Sequence, residues 1–291
     1  MMSVEAQLAR RSVGFELFKR SSASVKHFAP VDFSDGIPRD RFGNRVISSM
    51  SGLAYLDRNG DPVKAAALVS REGEGFLRKN KGLLKPIEQA LIDCDGLDYP
   101  RSNGMTVVPG LGDGLRLTRM HGSDGYQSDI FSLETGEEKV IVKKIQKRLG
   151  YNEFFTNQPY FNDMLQTQAV AQDLGNQLAE LGVFMPTFLF ATGQVCALRF
   201  EDGFYPDYFK VEGKLLAALD IVKSYIKEQV SKKLPVWKNV YLDEQVRIDG
   251  DSSNFIEKQD GSLVLTDRFL YFPPESERKG VQNKIDFSEI F

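Results

Sequence analysis

An α+β architecture is predicted, and three features of the chain predict it. Residues 115 to 145 read as strand, turn, strand, turn and strand; two long stretches, 160–181 and 211–232, repeat apolar residues at helical spacing; and 254–266 alternates like a hairpin around Gln259-Asp260-Gly261. A sheet of short antiparallel strands with a few long helices follows, preceded by about a hundred residues of different texture.

That first stretch, residues 1–105, is expected to be a mainly helical extension. Val4, Leu8, Val13 and Leu17 fall near helical spacing. Asp61 followed by Pro62 looks like a cap and first turn, so a helix is predicted over 62–70, and Pro86 near the start of 83–92 suggests another. Residues 95–105, DGLDYPRSNGM, make the best linker.

From 106 onward each element has its own signature. Leu115–Met120 and Asp129–Leu133 read as strands separated by the turn HGSDGYQS, and Glu134-Thr135-Gly136-Glu137 turns into the strand Lys139–Ile145. Residues 148–159 read as a loop. The helix at 160–181 presents Phe161, Met164, Leu165, Ala169, Leu174, Leu178 and Leu181 to a core. Strands are predicted over 187–191 and 195–200. The helix at 211–232 carries Leu215, Leu219, Val222 and Ile226 on one face and lysines at its C-terminal end, where the helix dipole favours them.

The stretch Val246–Leu270 holds the chemistry. Asp249 precedes Asn254 by five residues on a polar loop rich in Gly, Asp and Ser, and Asp267 ends the apolar run Leu263, Val264, Leu265. A hairpin between them would return Asp267 beside Asn254, so the three polar groups can converge on one metal ion.

Val246-Arg247-Ile248-Asp249 with Asn254, and Val264-Leu265-Thr266-Asp267, together resemble the catalytic core of the protein-kinase-like superfamily. There, H-R-D-x-x-x-x-N supplies the base and one metal ligand and D-F-G supplies a second. Arg247 stands where the family usually has His, and Arg268-Phe269 replaces Phe-Gly. GSDGYQSDIFSLETGEEKVIVKKI resembles the glycine-rich loop and lysine strand: Gly122 keeps the first glycine, while Asp124, Gln127 and Asp129 depart from the pattern. The shape resembles the trimmed kinases of bacterial effectors and bacteriophages, and the loop after Asp249 is similar to the T7-type phage kinase loop.

The resemblance implies a bilobal fold, with an N-lobe antiparallel sheet and one helix over 106–201, a hinge at 201–203 and a reduced helical C-lobe over 204–291. It implies ATP and magnesium as cofactors, with Asn254 and Asp267 as metal ligands and Asp249 as the catalytic base. Asp251 is a rival base. Lys143 would hold the α and β phosphates, with Lys144 as the alternative, and Gly122, Ser123, Gly125 and Tyr126 would cover them. Backbone groups of the hinge at Glu201 and Gly203 would read adenine. The family's lysine pairs with a glutamate on the following helix; here that helix offers Gln166, Gln168 and Gln172, and acids only at Asp163, Asp173 and Glu180.

A phosphotransferase with a protein hydroxyl as acceptor is the leading expectation. A pseudokinase serving as a binding or scaffolding module, and a kinase for a small hydroxylated molecule, stand beside it. The net charge of −3 argues against a nucleic-acid partner. Two distant cysteines, Cys94 and Cys196, argue for a reducing cytoplasm, and no apolar run is long enough to span a membrane. The first hundred residues are a candidate site for a regulatory partner.

Overall fold

The computed structural model describes residues 29–56, 59, 62–81, 87, 115–120, 128–136, 138–145, 159–192, 195–231, 247–248, 252–266 and 270–271. Their centre is an eight-stranded sheet. Its strands, in chain order, are β1 (Ala29–Pro30), β2 (Arg45–Leu56), β3 (Pro62–Val69), β4 (Leu115–Arg119), β5 (Ser128–Thr135), β6 (Glu138–Ile145), β8 (Phe188–Thr192) and β9 (Val195–Arg199). In space they run β1-β2-β3-β8-β9-β6-β5-β4. All neighbours are antiparallel except β1 and β2.

The predicted α+β class therefore holds, and β4, β5, β6, β8 and β9 lie within a residue or two of their predicted limits. The predicted helix over 62–70 is a correction: those residues form β3. Alanines at 65, 66 and 67 favour a helix locally, but β3 is hydrogen-bonded to β2 on one side and to β8 on the other, and Ala65, Ala67, Leu68 and Val69 are buried. Pairing and burial outweigh the few tenths of a kcal/mol per residue, roughly, by which helix propensities differ. Pro62 is tolerated because it opens the strand. Among its described residues the N-terminal stretch is not mainly helical either: they hold three strands, one nine-residue helix and the helical Ile87. The expected helix over 4–18 and the linker 95–105 lie outside the described residues, as does 83–92 apart from Ile87, which is helical.

That helix, α1 (Arg71–Lys79), begins at Ser70, whose Oγ accepts from the Gly73 amide at 2.9 Å. Glu72 and Glu74 in the first turn and Arg78 and Lys79 in the last both complement the helix dipole. The Ser70 amide and hydroxyl both donate to the Leu189 carbonyl, at 2.9 and 3.1 Å, so the helix entry is fastened to β8.

Both faces of the sheet are buried. On one, Phe76 of α1 and Ile87 pack with Leu117, Phe131, Leu133, Val140 and Val142. On the other, α2 (Pro159–Glu180) lays Phe161, Met164 and Leu165 against Ala65, Leu68, Ala191, Cys196 and Leu198.

The far half of α2 belongs to another core, built with α3 (Tyr208–Ser231), β7 (Val183–Phe184) and the hairpin β11 (Phe255–Glu257) and β12 (Leu263–Leu265). Val211, Leu215, Ala218, Val222, Tyr225 and Ile226 of α3 face Phe255, Leu263 and Leu265 there. Lys214 Nζ ties α3 to the hairpin turn through the Gly261 carbonyl at 2.8 Å. The hairpin turn itself needs glycine, since Gly261 sits at φ 76°. A short antiparallel pair, β10 (Arg247–Ile248) with β13 (Leu270–Tyr271), completes the described strands. No helix among the described residues is long and apolar enough to cross a membrane.

Candidate functional site

Lys143 lies on β6 between Ile130 of β5 and Cys196 of β9. Strand alternation puts Val140, Val142 and Lys144 on one face and Ile141 and Lys143 on the other, the face that α2 covers. Both lysines are buried, but they look into different cores. Lys143 crosses to the hairpin: its Nζ donates to the Thr266 carbonyl at 2.7 Å, 123 residues away in sequence.

Thr266 is held in turn by Asn254. Its amide and its hydroxyl both donate to the Asn254 carbonyl, at 2.7 and 2.9 Å. Asn254 closes a 3-10 turn (Ser252–Asn254) at the head of β11, so the antiparallel register Phe255 to Leu265 carries it beside the end of β12. Lysine strand, asparagine turn and the residue before Asp267 are thus one hydrogen-bonded chain.

The Asn254 side-chain Nδ2 is buried and has no hydrogen-bond partner. An orphaned buried amide costs about 1–3 kcal/mol, and such a group asks for a ligand. Oxygen and nitrogen of an amide are interchangeable by a half rotation, so the same position can present Oδ1 to a hard cation. Asn254 therefore fits a magnesium ligand. Asp267 and Asp249, the expected second ligand and base, lie outside the described residues, as do Asp251, Gly122, Ser123, Gly125 and Tyr126. Asp267 directly follows Thr266, and Asp249 directly follows Ile248, which pairs with Leu270 in β13. Among the described residues, no group of three or more His, Cys, Asp or Glu side chains could hold a metal ion.

The expected hinge is fastened to the hairpin. The Phe204 amide donates to the Glu257 carbonyl at 3.1 Å and the Glu257 amide returns the bond at 2.8 Å. Gly203 is required for this approach, because a Cβ there would stand 2.4 Å from the Glu257 carbonyl oxygen and 2.5 Å from Ile256 Cγ2. Glu201 pairs with Lys258 at 2.7 Å, so its carboxylate is committed to a structural contact.

Two of the helix residues considered as partners for the lysine, Gln168 and Asp173, are engaged elsewhere. Gln168 forms a reciprocal amide pair with Asn44, Nδ2 to Oε1 at 2.7 Å and Nε2 to Oδ1 at 3.0 Å. Asp173 accepts from the Tyr225 hydroxyl at 2.6 Å and joins α2 to α3. Gln172 and Glu180 are exposed, whereas Asp163 and Gln166 are half-buried.

Asn44 belongs to a cluster that sequence inspection missed. Asp40 Oδ1 accepts from the amides of Phe42 and Asn44, and Oδ2 accepts from Asn44 Nδ2, each at 2.9 Å. The available signal was the Asp-Arg-Phe-Gly-Asn stretch, since an Asp that bonds amides two and four residues on is a common turn device. Burial holds the Asp40 carboxyl above its ordinary range, outweighing these hydrogen bonds and the nearby Arg41 charge. A proton is therefore bound more tightly in the folded chain. The stabilisation this provides is complete below the unfolded carboxyl's pKa, about 4, and is lost as pH rises through the higher folded value. Asp40→Asn should flatten this part of the stability profile, as urea unfolding across that pH window would show; an unchanged slope would remove Asp40 as its source.

No family model matches the chain, and no curated protein matches it.

Proposed function

We propose that this chain is an ATP- and magnesium-dependent phosphotransferase acting on a hydroxyl, with a protein serine or threonine as the preferred acceptor. The observation that carries the reading is the hydrogen-bonded chain from Lys143 through Thr266 to Asn254. Stretches that the kinase resemblance assigns to one nucleotide site meet here, although the lysine strand lies more than a hundred residues from the hairpin that carries Asn254 and Thr266.

The order of the sheet supports the same reading. The lysine strand β6 is the third of the meander β4-β5-β6; α2 follows it, and of the next two strands that join the same sheet, β8 and β9, it is β9 that lies against β6. A kinase-like N-lobe of one sheet and one helix is built in that sequence of parts, and the tether of Phe204 to Glu257 suits a hinge between it and a reduced C-lobe.

Bound ATP would supply the transferred phosphoryl group, and magnesium would offset its charge. The chain's own contribution is position and electrostatics. Lys143 offers a buried cation to the α and β phosphates, Asn254 and Asp267 would hold the metal, and Asp249 would orient the acceptor hydroxyl and take its proton. Catalysis of this kind depends on where fixed charges stand when charge builds on the phosphoryl oxygens.

Incubation of the purified chain with magnesium and γ-labelled ATP, with and without lysate proteins or small hydroxylated metabolites, tests the reading. Label should appear on protein and disappear in Asp267→Asn. Thermal stabilisation by ATP without any transfer would assign the chain to nucleotide binding alone and overturn the proposal.

A further inference from the structure

The described residues expose six large hydrophobic side chains, and four of them, Phe204, Tyr205, Tyr208 and Phe209, fall within six consecutive positions. Phe209 is 86% exposed and Tyr205 69%. Neither serves the core, because the buried stripe of α3 is already complete from Val211 to Ile226. The patch nevertheless has defined geometry. Tyr208 and Phe209 stack edge to face with centroids 5.9 Å apart, the Tyr208 hydroxyl donates to Glu212 at 3.1 Å, and the Phe209 amide donates to Asp207 Oδ1 at 3.2 Å. Phe204 is anchored by its backbone to β11. Rings concentrated in this way on a surface mark an interaction site.

The charge around the rings selects the partner. Glu201, Asp202, Asp207 and Glu212 stand against Lys210 as the one basic residue between positions 201 and 212. Lys210 lies 3.7 Å from Asp207, and Glu201 is taken up by Lys258. Asp202 and Asp207 are exposed at the edge of the patch. An acidic rim around aromatic faces repels anionic lipid and nucleic acid. It attracts guanidinium groups, which stack on ring faces and bond to carboxylates with the same planar head.

We infer that the surface formed by Phe204, Tyr205, Tyr208 and Phe209, with Asp202 and Asp207 at its rim, docks an arginine-bearing, apolar-interleaved peptide segment of a partner protein. The inference does not rest on the phosphotransferase reading. It requires only that rings and acids be presented together.

Fluorescence anisotropy of two labelled peptides against the full chain tests it, one repeating Arg-Leu-Ala and the other Glu-Leu-Ala. The arginine peptide should bind and weaken as salt rises; the glutamate peptide should not bind. The double variant Tyr205→Ala with Phe209→Ala, both at exposed positions, should weaken the arginine peptide by about tenfold or more. Asp202→Asn should weaken it less and reduce the salt dependence. Circular dichroism of each variant checks that the fold is kept. Binding of neither peptide, equal binding of both, or unaltered binding by the double variant would overturn the inference. So would a dimer of the wild-type chain that the double variant dissociates, because the surface would then belong to a second copy.

Discussion

Lys143→Met should leave the chain folded and lower phosphate transfer by about two to three orders of magnitude, the usual loss when one positioned electrostatic group is removed. Methionine keeps the length and the apolar stem, so packing against α2 is preserved. The change takes away a buried charge and the donor to the Thr266 carbonyl together. The desolvation cost of the cation and the value of its bond are of opposite sign, so the stability change should stay within about 1 kcal/mol. Lys144→Met is the matched control: it is equally buried, one residue on, but on the face that Val140 and Val142 share. Transfer rates and melting temperatures of both variants decide the matter. Equal loss of activity in the two, or none in Lys143→Met, would remove Lys143 from the proposed mechanism.

The largest effect on stability should come from Gly73→Ala in α1. A Cβ at this position would stand 1.8 Å from the Leu189 carbonyl oxygen and 2.5 Å from its carbon, and both are backbone atoms that cannot rotate away. The helix would have to lift off β8. That movement strains the bonds from Ser70 to the Leu189 carbonyl and loosens Phe76 in its core. A loss of about 3 kcal/mol is expected, the upper range for overpacking. For a chain of this size that lowers the melting temperature by roughly 5–10 °C.

Gly75→Ala provides the opposite sign. The same helix has open space beside Gly75, with nothing within 4 Å of the added Cβ. Alanine there should stabilise by about 0.5–1 kcal/mol through helix propensity alone. Calorimetric melts of the two variants compare a clash with a propensity gain on one element. A stable Gly73→Ala chain would mean that α1 does not sit as tightly on β8 as the geometry requires.

The aromatic docking surface was written openly in the sequence as FYPDYF, yet its meaning was not. Four rings in six residues read as core until burial is known, and α3 fills its core without them. The reverse holds for Asp40 and Asn44, which look like surface loop residues and are both buried.

Period and turn chemistry were enough to place β4, β5, β6, α2, β8, β9, α3 and the β11–β12 hairpin, because each carries its own pattern of apolar residues and is bounded by its own Gly, Asp or Pro signals. It was the kinase resemblance that singled out Lys143 and Asn254 as candidates. Tertiary structure alone decided that residues 62–69 are a strand, that Lys143 rather than Lys144 reaches Thr266, and that Gln168 serves Asn44, 124 residues away. The physical reason is common to all three. Local preference is worth a few tenths of a kcal/mol per residue, roughly, whereas leaving a strand edge, a lysine or an amide buried without its partner costs several times more; such partners are supplied by distant parts of the chain that no local pattern names.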